Sequence, residues 1–281
     1  MRRADPELLG VLGQPIAHSL SPAMHTAVLA LEGRRASYHA FEVGPDELPA
    51  ALAGLAAVGA RGVNLTVPLK ERAVSLMARL EPSASACGSV NTVSFEEDGP
   101  VGSSTDGEGF LTAVRLDLGL ELAGRRVLVV GSGGAARAVA WAVRSVGGFV
   151  GVLARDPARA EAVAELAQGE VVVADRSAGM WDLIVNATTV GMYGGPDPHG
   201  CPVPTELLVA PSAVMDLVYA PRTTPLLRQA RERSLAATDG LTMLAAQARA
   251  SYLRWFASAP PVDVFVSAAL AALEQRSLRA H

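Results

Sequence analysis

The chain has 281 residues, of which 50% are hydrophobic and 19% charged, with a net charge of −4. That length suits two globular domains with ample apolar material, and the absence of a basic stripe or a run of like charges argues against nucleic acid as a partner. Two distant cysteines, Cys87 and Cys201, point away from a disulfide framework and towards a reducing cytoplasm. No leader-like apolar segment follows Met1, and no uninterrupted apolar stretch of about 18 residues is present to span a membrane.

Residues 8–13 form an apolar run that reads as a strand before the break at Gln14-Pro15. Ser21-Pro22 reads as a helix start, with Ser21 as cap and Pro22 at the first helical position, and Met24, Val28 and Leu31 follow at helical spacing. Residues 38–43 alternate like a strand. Asp46 is expected to cap a second helix whose Leu48, Leu52, Leu55 and Val58 make one apolar stripe. Strands are predicted over residues 63–67, ended by Pro68, and over 90–95, with a hairpin return at Asp98-Gly99-Pro100.

The rhythm changes after Gly107. Residues 110–118 read as a connecting helix, and residues 127–130 as a continuous apolar strand that runs into glycines and an alanine-rich helix. Further apolar runs at 149–153, 171–174, 183–185 and 214–218, the early ones separated by helices, predict a doubly wound parallel sheet. Residues 243–272 read as helical apart from Pro260-Pro261.

Gly131-Ser132-Gly133-Gly134-Ala135-Ala136 fits G-x-G-x-x-G/A after a strand and at the opening of a helix, the context that a dinucleotide fingerprint requires. Its backbone N–H groups and helix N-terminus suit a pyrophosphate. The bland alternative is a strand–helix turn built of small residues. At the end of the next strand Arg155 can pair with a 2′-phosphate, which points to NADP. Asp156 could be read as the acid of an NAD site, but directly before Pro157 it reads better as a helix cap. Arg159, one turn on, either adds charge near the phosphate or is a solvated helix residue.

Three polar clusters lie beside strands in the first half. They are His18-Ser19-Leu20-Ser21-Pro22, Asn64-Leu65-Thr66-Val67-Pro68-Leu69-Lys70, and Asn91-Thr92 with Thr105-Asp106-Gly107. Amides, hydroxyls, one cation and one acid suit a small polyhydroxylated acid, and serines at a helix start suit a carboxylate. Taken singly, Ser21 could be only a cap, Asn64 could only satisfy backbone groups, and Lys70 could be a surface lysine.

Over nearly the whole chain these motifs, in this order, resemble the shikimate dehydrogenase family. The segments that carry the resemblance are Ser19 to His25, Asn64 to Lys70, Val90-Asn91-Thr92-Val93, Ser104-Thr105-Asp106-Gly107, Gly131 to Arg137, Asn186 to Met192, Asp216-Leu217-Val218-Tyr219, and Gly240 to Leu244 with Gln247. Ser104, Ala154, Asp156 and Thr189 stand where the family usually has other residues.

The resemblance implies an α/β chain with a substrate and catalytic domain over 1–107 and a Rossmann-type NADP domain over 108–240. The C-terminal helices, 241–281, would return to the first domain. It implies Lys70 and Asp106 as catalytic residues, and Ser19, Ser21, Asn64, Thr66, Asn91, Tyr219 and Gln247 as contacts to shikimate or 3-dehydroshikimate. It implies Gly131, Ser132, Gly133, Gly134, Ala135, Arg155, Arg159, Thr188, Leu217, Gly240 and Met243 around NADP. No metal is expected, and the protein would be a cytoplasmic monomer or homodimer. A quinate-using enzyme of the same fold, or a ligand sensor without catalysis, are the alternatives; the presence of both Lys70 and Asp106 argues against the sensor.

Overall fold

The computed structural model describes residues 5–172, 181–209 and 213–279, with the backbone alone at 277 and 279. The chain divides into two compact units. Residues Met1–Gly109 and Ala245–His281 form one, and Phe110–Leu244 the other. Both divisions fall inside helices, where a continuous helix offers no composition break to read.

The first unit opens with β1 (Glu7–Gly13), α1 (Ser21–Leu31), β2 (Ala36–Glu42), α2 (Leu48–Ala57) and β3 (Gly62–Leu65). After a short 3-10 turn come β4 (Arg79–Leu80), α3 (Pro82–Cys87) and the hairpin of β5 (Thr92–Glu96) and β6 (Gly99–Ser103). The sheet order is β2-β1-β3-β5-β6-β4. β1, β2 and β3 run parallel, while β5 is antiparallel to both its neighbours. One face packs on α2 through Leu12, Leu48, Leu52, Val63 and Leu65.

Two predicted caps are corrected here. Leu20, not Ser21, is the N-cap of α1, with no side-chain cap bond. Leu20 already has helical backbone angles, so Ser21 becomes the first helical residue and its side chain is buried. Ser19 Oγ accepts from Ser21 N at 3.3 Å and does the local satisfying instead. Similarly Glu47, not Asp46, precedes α2. Its carboxylate turns back to accept from Gly44 N at 2.9 Å, while Asp46 is out in solvent. Val58 lies past the helix end and is 61% exposed, so the apolar stripe of α2 is shorter than predicted.

The second unit begins within α4 (Asp106–Leu118) and continues through β7 (Arg126–Val130), α5 (Gly134–Ser145), β8 (Phe149–Leu153), α6 (Pro157–Leu166) and β9 (Glu170–Val171). β10 (Leu183–Asn186), β11 (Ala213–Asp216), α7 (Pro225–Glu232) and β12 (Ala237–Thr238) follow. The strand predicted over 171–174 keeps only Val171 in β9, and residues 173 and 174 lie outside the described residues.

The sheet order is β12-β11-β10-β7-β8-β9, with every pairing parallel. Read from β9, this is the doubly wound order whose switch point lies between β7 and β10. Successive strand residues feed opposite cores. Val127, Val129, Leu183, Val185 and Met215 face one, and Leu128, Val130, Ile184 and Val214 the other. Burial on both faces is why these strands read as unbroken apolar runs rather than alternating ones.

The chain ends in α8 (Leu241–Phe256) and α9 (Val262–Arg279). Tyr252 and Trp255 of α8 and Phe265 of α9 gather round His25 of α1 and Tyr38 of β2 in an aromatic cluster. This knits the C-terminal helices into the first unit.

Candidate active site

The polar centre of the first unit grows from one alternation. Val63 and Leu65 of β3 point into the apolar core, so Asn64 between them points to the other face. There its amide nitrogen donates to Ser251 Oγ at 2.9 Å, and lies 3.1 Å from both Thr92 Oγ1 and the Asn91 carbonyl. Its oxygen accepts from the Tyr38 hydroxyl at 2.8 Å. Burial holds the Tyr38 phenol well above its ordinary pKa, and a hydrogen bond with Ser21 acts the other way, which ties Ser21 to the same group.

Asn91, just before β5, is the second hub. Its amide nitrogen donates to Asp106 Oδ1 at 2.7 Å, with Thr105 Oγ1 at 2.9 Å and Gln247 Oε1 at 3.2 Å. Its oxygen accepts from Thr105 N at 2.8 Å. Asp106 is therefore fixed from one side by an amide. On the other, its Oδ2 accepts from Lys70 Nζ at 2.6 Å. Lys70 follows the turn closed by Leu69 N to the Thr66 carbonyl, and its own carbonyl accepts from Val90 N at 2.9 Å, which brings the lysine beside Asn91.

The lysine and aspartate side chains are 15% and 6% exposed. Among the described residues the ammonium bonds only to Asp106, so two of its three donors are available to a ligand. The pair is anchored, sheltered from water and still able to donate. That suits it to meet an oxygen on which negative charge develops.

Asn64, Lys70, Asn91, Asp106 and Gln247 thus share one hydrogen-bonded cluster, and Ser21 joins through Tyr38. Among the described residues the Ser19 hydroxyl reaches only Ser21 N, and the Thr66 hydroxyl has no partner. Thr92 and Thr105 of the polar motifs belong to the cluster as well, and Tyr38 and Ser251 join it from outside those motifs. Ser251 had a readable signal, since it stands four residues after Gln247 on the same helical face.

In the second unit, β7 delivers the glycine loop at the sheet's switch point. Gly131 has φ 121°, and a Cβ there would press on Thr188 and Ala187 at 3.1–3.2 Å. Gly133 is the N-cap of α5, and a Cβ there would meet nothing within 4 Å, so the space before the helix start is open. Ser132, Gly134 and Ala135 are half-buried around it. An open cradle of N–H groups at a helix N-terminus fits a pyrophosphate.

Arg155 is exposed at the end of β8, with no partner among the described residues. Asp156 is the cap of α6, its carboxylate accepting from Arg159 N at 3.2 Å. The Arg159 guanidinium donates to the Ser132 carbonyl at 3.1 Å, which places its charge beside the glycine loop although the side chain is exposed.

The neighbouring loops are braced by Asn186 and Asp216, which open two of the segments that carry the resemblance but were given no site role from the sequence. Asn186 Oδ1 accepts from Thr188 N and Oγ1 at 2.9 and 2.7 Å. Asp216, opposite Asn186 across the sheet, accepts from Asn186 Nδ2, Val218 N and Thr224 Oγ1. Burial raises the Asp216 carboxyl to about 6, against the pull of those three bonds. Gly240 N donates to the Val218 carbonyl, and a Cβ on Gly240 would run into the Leu217 carbonyl. Leu217 and the buried Met243 pack on the core of this unit, and Tyr219 is half-buried beyond β11.

Comparison with known proteins agrees with this geometry. A family model described as the shikimate dehydrogenase substrate binding domain matches residues 11–93. A shikimate dehydrogenase (NADP(+)) of Symbiobacterium thermophilum is 41% identical, with 97% of this chain and 96% of that protein covered. One from Rubrobacter xylanophilus is 44% identical, with 92% and 93% covered. The crystal structure of shikimate 5-dehydrogenase from Thermus thermophilus in complex with NADP(H) and shikimate superposes with a TM-score of 0.87 at 41% identity, covering 95% of this chain and 99% of that one. With that identity along nearly its whole length, the chain belongs to the shikimate dehydrogenase family.

Proposed function

We propose that this protein catalyses the reversible NADPH-dependent reduction of 3-dehydroshikimate to shikimate, a step towards chorismate and the aromatic amino acids. The observation that carries the reading is the sheltered 2.6 Å pair of Lys70 and Asp106 inside a cluster of amides and hydroxyls. When bound, NADPH supplies the hydride. Lys70 then hydrogen-bonds the carbonyl oxygen as it becomes an alkoxide and moves a proton towards it, while Asp106, held by Asn91, keeps the ammonium in place. Asn64, Thr66, Asn91 and Gln247 read the ring hydroxyls with Lys70 and Asp106, Tyr219 lines the site, and Ser19 and Ser21 bind the carboxylate. Thr188, Leu217, Gly240 and Met243 shape the nicotinamide end of the cofactor site.

The enzyme is read as cytoplasmic, with Cys87 and Cys201 both free thiols. Among the described residues no helix is long and apolar enough to cross a membrane. The direct test is NADPH oxidation by the purified chain with 3-dehydroshikimate, followed by identification of shikimate. No turnover would overturn the proposal, and oxidation of quinate at a comparable rate would widen it.

Two mutations divide the ligands. Ser19→Ala with Ser21→Ala should raise KM for shikimate several-fold more than KM for NADP. Equal losses on both would mean that the hydroxyls serve only the local fold. Arg155→Ala removes a charge-assisted contact worth about 1.5–3 kcal/mol, so NADP binding should weaken roughly 10- to 150-fold while NAD binding barely changes. Calorimetric titration with each nucleotide checks this.

A further inference from the structure

The loop that carries Ser19 is not held by its own neighbours alone. Arg276, near the end of α9 and more than 250 residues away in sequence, reaches it with both terminal nitrogens. Nη1 donates to the His18 carbonyl at 2.6 Å, and Nη2 to the Ser19 carbonyl at 2.7 Å. Two short charge-assisted bonds from one planar fork fix the tilt of two successive peptides. Those peptides lead straight into α1, where Ser19 Oγ in turn accepts from Ser21 N. The same guanidinium brings a permanent positive charge to this loop; burial, and after it this charge, holds the His18 imidazole below its ordinary pKa.

We propose that Arg276 is a positioning residue for the substrate carboxylate. It sets the orientation of the Ser19–Ser21 segment and makes the potential there favourable to an anion. The inference rests on the proposed role of Ser19 and Ser21 in binding that carboxylate. It adds a residue from the far end of the chain, whose side chain acts through the loop and not on the ring carbon that is reduced.

The test is steady-state shikimate oxidation by Arg276→Ala and Arg276→Lys beside the wild type, with KM for shikimate, KM for NADP and kcat measured separately. Discounting the two bonds for their exposed setting, Arg276→Ala should raise KM for shikimate about 5- to 20-fold. Its kcat and KM for NADP should stay within about twofold, and Arg276→Lys, which keeps the charge, should recover part of the loss. A substrate KM that does not move overturns the inference. So does a loss spread over kcat and both KM values with a lowered melting temperature, because that is a merely structural helix. If the wild type failed to turn over shikimate, the proposed function would fall. The His18 titration, followed by NMR, would still decide the contact: its pKa should rise in Arg276→Ala, and an unmoved value overturns the inference.

Discussion

Lys70→Ala is expected to lower kcat by at least about 10²-fold while NADP still binds. The geometry sets this expectation. Among the described residues the ammonium has one partner, Asp106, at 2.6 Å, and the aspartate is in turn gripped by Asn91 at 2.7 Å. A ketone oxygen in the ground state gains little from such a donor, but the alkoxide that forms during reduction gains much. Loss of an interaction that strengthens in the transition state appears in kcat rather than in KM alone. Asp106→Asn should also be severe. The double variant should fall well short of the product of the two single effects, since the residues work as one unit. Removal of Lys70 also leaves Asp106, 6% exposed, as an uncompensated buried charge, which costs about 3–5 kcal/mol of stability in comparable settings. Lys70→Ala combined with Asp106→Asn removes that charge, and thermal melting of all three variants separates unfolding from lost chemistry. A folded Lys70→Ala enzyme with near-normal kcat would remove the lysine from the mechanism.

The parts of this protein that were legible in the sequence are those whose physics is local. The run 127–130 followed by glycines had to be a strand entering a helix, because a parallel strand buried on both faces is apolar throughout and only glycine-rich backbone makes that turn. Asp156 before Pro157 was legible as a cap for the same reason, since both residues act within one turn. The cap of α1 was misplaced by one residue because the backbone at Leu20 is already helical, and that of α2 because Glu47, not Asp46, turns its carboxylate back onto Gly44 N; side-chain preference reveals neither. The polar motifs could be seen one by one, but not the way they converge. Tyr38 reads as a strand aromatic and Ser251 as a helix residue until the fold brings both onto Asn64. Arg276 is further out of reach, one arginine near the end of a long helix with nothing beside it to mark its partner. Two-residue strands such as β4, β9 and β12 have too little length for any periodicity, and their neighbours in the sheet impose them.

His25 shows how far such tertiary placement can depart from the local signal. In sequence it is a polar residue at the end of the serine motif. In the fold it is 1% exposed, stacked on Tyr38 at 4.3 Å and ringed by Tyr252, Trp255 and Phe265. Neither ring nitrogen has a hydrogen-bond partner among the described residues. Burial without a compensating acceptor lowers its pKa from 6.5 to about 3. Above pH 6.5 the ring is neutral whether the chain is folded or not, and it contributes no pH dependence. Between pH 6.5 and about 3 the unfolded chain binds a proton that the folded one refuses, so stability falls as pH falls across that window. The slope from this single group approaches about 1.4 kcal/mol per pH unit, and its full extent is on the order of 5 kcal/mol. His25→Phe keeps an aromatic ring in the stack and cannot titrate. Its unfolding free energy, measured by denaturant melts from pH 4 to 8, should match or exceed the wild type at pH 8, since two unsatisfied buried nitrogens are gone. Its advantage should then widen steadily below about pH 6.5. Carboxylates that titrate in the same range do so in both proteins and cancel in the difference. Parallel curves for the two proteins would mean that the imidazole finds a partner or a path to water when it is charged, and that the acid sensitivity of the fold lies elsewhere.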